Sequence, residues 1–250
     1  MRRNLPPLGI SLAFALLFFS CGISADSTPD LKRLVALFES RYKSSHTLQA
    51  TFLERYSENG RFVRAESGTA FFRRPGKMRW EYQSPEKNLF LIDGKTAWFY
   101  VPADHTATRV PAKESTDWRT PLALLAGEMK VSRICAQIQA APGEAPENPG
   151  NVVLFCQLRG GQPQAQESNP TKDTRNDGEP SEAVFFEVVR NSGELVRVLV
   201  RNSGGVGIEF QFRNWRYDPS VEDSLFRFIV PPGVAIVNGE LPAGDSAVTR

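Results

Sequence analysis

Catalysis needs a nucleophile or a metal, a base, and a group that orients the base. Among its 250 residues the chain has two histidines and three cysteines from which to build such a set. His46 and His105 each stand alone, without metal-ligand spacing. His46 precedes the first predicted strand and His105 falls at a turn, so both read as surface residues. Cys135 and Cys156 sit in apolar, strand-like runs with no base nearby, which does not suit a catalytic thiol. Glu222-Asp223 follows Pro219-Ser220 and reads as the acidic start of a helical turn. The sequence holds no nucleophile elbow, zinc-protease motif, phosphate loop or dinucleotide fingerprint. No catalytic residue, metal or cofactor is expected. The formal net charge is +2 and the basic residues are interspersed with acids apart from Arg73-Arg74 and Lys77-Arg79, which read as a solvated strand end, so nucleic acid is not an expected partner.

The polar residue with the clearest placement is Arg74. Pro75 lacks a backbone donor and pushes the residue before it into extended geometry. Arg74 therefore ends a strand at a sheet rim, with a long cation free to reach across. Aromatic residues crowd the predicted strands, among them Phe52, Phe71, Trp80, Tyr82, Phe90, Trp98, Tyr100, Phe210 and Phe212. For any one of them ordinary core packing is the default. Yet one helix and a few turns offer little to cover the concave face of so large a sheet. An incompletely filled barrel leaves a cavity, and such cavities hold apolar ligands. These nine aromatics are the cavity-lining candidates.

The elements that must position them are mostly strands. Asp30 to Tyr42 reads as an amphipathic helix capped by Asp30. Pro121 to Ala126 reads as a second, shorter one, with Thr120 as its cap. Period-two patterning predicts strands at 48–56, 62–73, 78–82, 89–92, 97–101 and 106–110. The second half adds 131–138, 152–158, 183–189, 196–201 and 206–215. Close turn signals such as Pro75-Gly76 and Asp93-Gly94 argue for antiparallel succession in a strongly curved sheet or barrel. Gly160 to Glu182 lacks large apolar residues and reads as a disordered loop insertion; the Pro-rich Ala141–Gly150 stretch reads as a milder version. Residues 26–250 form one domain, with a frayed tail at 241–250.

Arg2 and Arg3, the apolar run Leu8 to Phe19 and the small residues ending at Ala25 make residues 1–25 a secretory signal peptide. Cleavage near Ala25 competes with lipidation at Cys21, since Phe18-Phe19-Ser20-Cys21 is an imperfect lipobox. With Cys21 removed, an exported chain keeps two cysteines, and Cys135 and Cys156 on adjacent hairpin strands read as a disulfide; the alternative is two buried free thiols.

In order along the chain stand Arg74-Pro75, Trp80 followed by Pro85, Asp93-Gly94-Lys95-Thr96-Ala97-Trp98-Phe99-Tyr100-Val101-Pro102, Thr120 to Ala126 and Phe228 to Val234. This ordered set resembles the periplasmic outer-membrane lipoprotein carrier family, LolA, from Asp30 to about Val237. The resemblance implies a mainly β, half-open, strongly curved antiparallel barrel with a helical lid enclosing an apolar cavity. It implies a monomeric, non-enzymatic periplasmic chaperone. Such a carrier takes triacylated lipoproteins from an inner-membrane ABC transporter complex to an outer-membrane lipoprotein acceptor. It makes Arg74 the lid latch and places Pro121, Leu122, Leu124 and Leu125 in the lid. A lipid-anchored acceptor of the same fold and a lipid-sensing regulatory module are the alternatives. The Gly160–Glu182 insertion and the cysteine pair depart from the family pattern.

Overall fold

A computed structural model describes residues 30–115, 122–127, 129–141, 143–159, 182–202, 204–239 and 241. The predicted signal peptide, Cys21, Thr120, Pro121 and nearly all of the predicted insertion and tail lie outside the described residues. Helix α1 spans Leu31–Lys43. Asp30 caps it by accepting from the backbone N–H of Lys32 at 3.1 Å and of Arg33 at 3.3 Å, supplying partners that the first turn lacks. Leu34, Phe38 and Tyr42, four residues apart, form its buried stripe.

Twelve strands follow: β1 (Thr47–Glu58), β2 (Arg61–Arg73), β3 (Lys77–Ser84), β4 (Leu89–Ile92), β5 (Thr96–Val101), β6 (Thr106–Pro111), β7 (Cys135–Ala140), β8 (Asn151–Leu158), β9 (Glu182–Val189), β10 (Leu195–Asn202), β11 (Val206–Tyr217) and β12 (Ala235–Asn238). They build one sheet in the order β12-β6-β5-β4-β3-β2-β1-β11-β10-β9-β8-β7. Neighbours are antiparallel except β12, which runs parallel to β6. The first and last strands in that order do not pair, so the barrel stays half open. Trp80 on β3 and Phe210 on β11 bring their rings to 5.2 Å although two strands lie between them. Strands about 4.8 Å apart could not do this on a flat sheet without strong inward curvature. Gly68 permits a close approach in that bend: a Cβ there would stand 1.9 Å from the Glu81 carbonyl oxygen.

Two short helices, α2 (Ala123–Ala126) and α3 (Val131–Ile134), lie between β6 and β7. Residues 131–134 correct the strand expected at 131–138. Periodicity cannot distinguish strand from helix over so short an apolar run. Here the Val131 N–H docks on Glu39 of α1 at 2.7 Å, and extended pairing begins only at Cys135. Glu182 likewise belongs to β9 and not to the insertion. The expected hairpin disulfide is present between Cys135 of β7 and Cys156 of β8, with Cα atoms 5.3 Å apart. Closing a loop of sequence separation 21 contributes about 3 kcal/mol in the chain-entropy account.

The Ala141–Gly150 stretch also departs from expectation, because the outer face of the sheet holds it. Glu187 and Arg197 form a buried ion pair at 2.7 Å. The Glu147 N–H donates to Glu187 at 2.9 Å, and Arg197 donates to the Ala145 carbonyl at 2.9 Å. Glu144 takes both terminal nitrogens of Arg201. Burial pushes the Glu147 pKa up, and the charges of Glu209 and Glu187 add to the rise.

Candidate functional site

Arg74 stands where β2 ends and the Pro75-Gly76 turn begins. Its Nε donates to the carbonyl of Gly127, just past α2, at 2.6 Å. Its Nη1 donates to the carbonyls of Lys43, the last residue of α1, at 3.0 Å, and of Ser45. Helix ends leave carbonyls without intrahelical partners, and a guanidinium fork can serve several of them at once. Two backbone bonds run beside it: Gly76 N–H to Ala126 at 2.8 Å, and Arg74 N–H to His46 at 3.0 Å. Burial holds the Arg74 pKa below its ordinary value, and the Asp218 carboxylate pulls the other way. Asp218 itself accepts the backbone N–H of His46 at 2.7 Å and of Thr47 at 3.2 Å. Those bonds, Thr47 first, lower its pKa. One arginine thus ties both covering helices to the sheet rim.

Beneath the helices the concave face is aromatic. Phe52, Phe72, Phe210 and Phe212 surround the Trp80 ring at 4.8, 5.8, 5.2 and 6.0 Å. Tyr82 and Phe90 are buried on the same face. Leu122, Leu124 and Leu125 are buried with them in one core. Helix α1 closes the other side, where Phe38 lies 5.8 Å from Phe186 and Tyr42 lies 5.1 Å from Trp215. The enclosed apolar interior is occupied by these rings themselves. Beyond Phe52 it turns polar: the Tyr82 hydroxyl donates to the buried Glu54 carboxylate.

Six of the nine aromatic candidates meet on this face: Phe52, Trp80, Tyr82, Phe90, Phe210 and Phe212. Phe71, Trp98 and Tyr100 do not. Phe71 alternates with buried Ala70 and Phe72, so the pleat turns it outward. Phe90 pairs with Phe99, which sends Trp98 and Tyr100 to the outer face, where their rings lie 5.0 and 5.5 Å from Phe228. An outer groove of about 680 Å³ includes Phe71, Tyr100 and Phe228. Phe72, Phe38 and Tyr42 were not among the sequence candidates. The two-residue spacing of Phe72 from Ala70 and the four-residue spacing of Phe38 from Tyr42 are the signals that place them. His46 and His105 are exposed, as expected.

A curved, half-open antiparallel barrel, aromatic within and covered by helices that one arginine ties to its rim, defines a lidded β-barrel of the kind that encloses an apolar interior. The profile of the family described as "Outer membrane lipoprotein carrier protein LolA" matches residues 43–143. An outer-membrane lipoprotein carrier protein of Chromobacterium violaceum is 26% identical over 217 residues, covering 86% of this chain and 92% of that protein. Another, from Nitrosospira multiformis, is 31% identical over 207 residues, covering 82% and 88%. Among solved structures, a LolA superfamily protein from Nitrosomonas europaea is 8% identical with a TM-score of 0.42, covering 79% of this chain and 97% of that one. The chain belongs to the outer-membrane lipoprotein carrier protein (LolA) family.

Proposed function

We propose that this protein is a periplasmic chaperone for lipoproteins. It binds the acyl chains of lipoproteins released by an inner-membrane ABC transporter and delivers them to an outer-membrane acceptor. The observation that carries the reading is the bonding of Arg74 to Gly127, Lys43 and Ser45 directly above an aromatic interior. The names of its relatives support it. Acyl chains gain about 0.8 kcal/mol per buried methylene, so a lipid anchor released into water needs an apolar shelter. The shelter must also let go. A cover held by a few polar bonds keeps open and closed states close in free energy, so cargo can shift the balance. In this reading Arg74 is the latch and Leu122, Leu124 and Leu125 form the inner surface of the lid. Phe52, Trp80, Tyr82, Phe90, Phe210 and Phe212 line the space exposed when the lid lifts. Pro121 is assigned to the lid by family resemblance alone.

The test is release. Inner-membrane vesicles loaded with a triacylated lipoprotein and supplied with ATP are mixed with the mature protein, and the supernatant is assayed. A soluble one-to-one complex is the expected result. No release, while a competent control carrier works on the same vesicles, overturns the reading. Arg74→Leu should fold with an unchanged far-UV spectrum yet favour the open state, holding cargo longer and passing it to outer-membrane vesicles more slowly. Unchanged loading and transfer in that variant would remove Arg74 from the latch role.

A further inference from the structure

Trp80 is fully buried, and its indole Nε1–H has no hydrogen-bond partner. Three other aromatic side chains of the core with polar atoms have partners. Trp215 Nε1 donates to the Leu195 carbonyl at 2.8 Å, the Tyr42 hydroxyl accepts the Leu195 N–H at 2.8 Å, and the Tyr82 hydroxyl donates to Glu54. An indole nitrogen is a donor only, and burying such a donor unpaired is costly. A phenylalanine would add another ring to the cluster without that cost. The four rings packed on Trp80, those of Phe52, Phe72, Phe210 and Phe212, supply none of the two to four polar partners that a buried water needs.

An acceptor brought in by a ligand does resolve it. That acceptor has to be uncharged, since an ion among four phenyl rings would lose its hydration without compensation. It also has to arrive on an apolar chain that can part the rings. The carbonyl of an acyl ester meets both conditions. We propose that Trp80 Nε1–H is a specificity-determining donor that takes an acyl-ester carbonyl of the cargo when the aromatic cluster opens, an inference that rests on the carrier reading above. The same site should discriminate against alkyl chains of equal length that lack the carbonyl. Selectivity for acyl over alkyl lipid then comes from one hydrogen bond, and apolar burial supplies affinity for both.

The experiment compares two synthetic peptides. One carries two ester-linked palmitoyl chains on the glyceryl thioether of its N-terminal cysteine; the other carries two ether-linked hexadecyl chains. Binding to the full mature protein is read by displacement of a fluorescent fatty acid. The wild type should favour the ester peptide by about fivefold or more, as one net hydrogen bond implies. Trp80→Phe should bind both peptides alike. Benzothienylalanine in place of Trp80 keeps the bicyclic shape without the N–H and should also lose the preference. Equal binding of the two peptides by the wild type, or a preference that survives in either variant, overturns the role of Trp80 and leaves the carrier reading standing. Binding of neither peptide by the wild type sinks the carrier reading and this inference together.

Discussion

A guanidinium presents its donors in a rigid plane, and Arg74 directs them at carbonyls on both sides of the rim. What holds the Ser45 side of that arrangement in place is Asp218. Its carboxylate collects the N–H groups of His46 and Thr47, fixing the link between α1 and β1 that Arg74 grips. Bonds to the charged form depress a carboxyl pKa, and the Asp218 pKa is lowered from 3.8. The sign follows from linkage: the folded state binds the Asp218 proton less tightly than the unfolded chain does. Its contribution is therefore present above the ordinary carboxylate pKa of 3.8 and is lost as pH falls through the lower folded value. Asp218→Asn should melt below the wild type near neutral pH, and the gap should close as the pH drops below about 4. A gap independent of pH would mean that the Asp218 charge does nothing for the link.

At the scale of elements, the sequence made the strands legible because a pleat with one buried face imposes a period of two. Periodicity places the strand Leu89–Ile92 at its observed bounds and most of the other strands to within two residues. The same period contained the correction to the site: adjacent Phe71 and Phe72 cannot share a face. What composition could not convey was partnership. Val131 to Ile134 has strand-like residues but docks as a single helical turn on Glu39, a contact 92 residues away in sequence. The Pro-rich Ala141–Gly150 stretch has no apolar face, yet Glu187 and Arg197 beneath it make an anchor that only the folded sheet creates. Arg74 was legible because the proline beside it fixes its geometry. The lone N–H of Trp80 was not, since it depends on four rings from three other strands. Arg197→Met should test the anchor. Removing one partner of a buried pair leaves the other charge uncompensated and costs about 3–5 kcal/mol, read as a lower urea midpoint. Glu187→Leu added to Arg197→Met should recover part of that loss, because the stranded charge is gone. A single substitution costing less than about 1 kcal/mol would place the pair among weak surface contacts instead.

The whole molecule divides into parts held by different forces. The central strands β1, β2 and β11 share long ladders, with Phe52 and Phe210 packed on their inner face. The cover over them buries Leu122, Leu124 and Leu125 in the same core, and its polar ties to the rim are the bonds of Arg74 and Gly76 N–H to Ala126. Regions joined by few polar bonds open at a lower free energy than the global transition. Opening of the cover should therefore be a local event, with the sheet intact beneath it. Amide exchange can separate the two. In the wild type the amides of β1 and β11 should exchange slowest, and the Gly76 amide should exchange by local opening. Arg74→Leu removes charge-assisted bonds, and Gly76 exchange should rise by about tenfold to a hundredfold with the central strands unchanged. Central strands that quicken in step with Gly76 would show cover and barrel to be a single cooperative unit. Opening of the cover would then need global unfolding, and the proposed release of cargo through a lifting lid would fail.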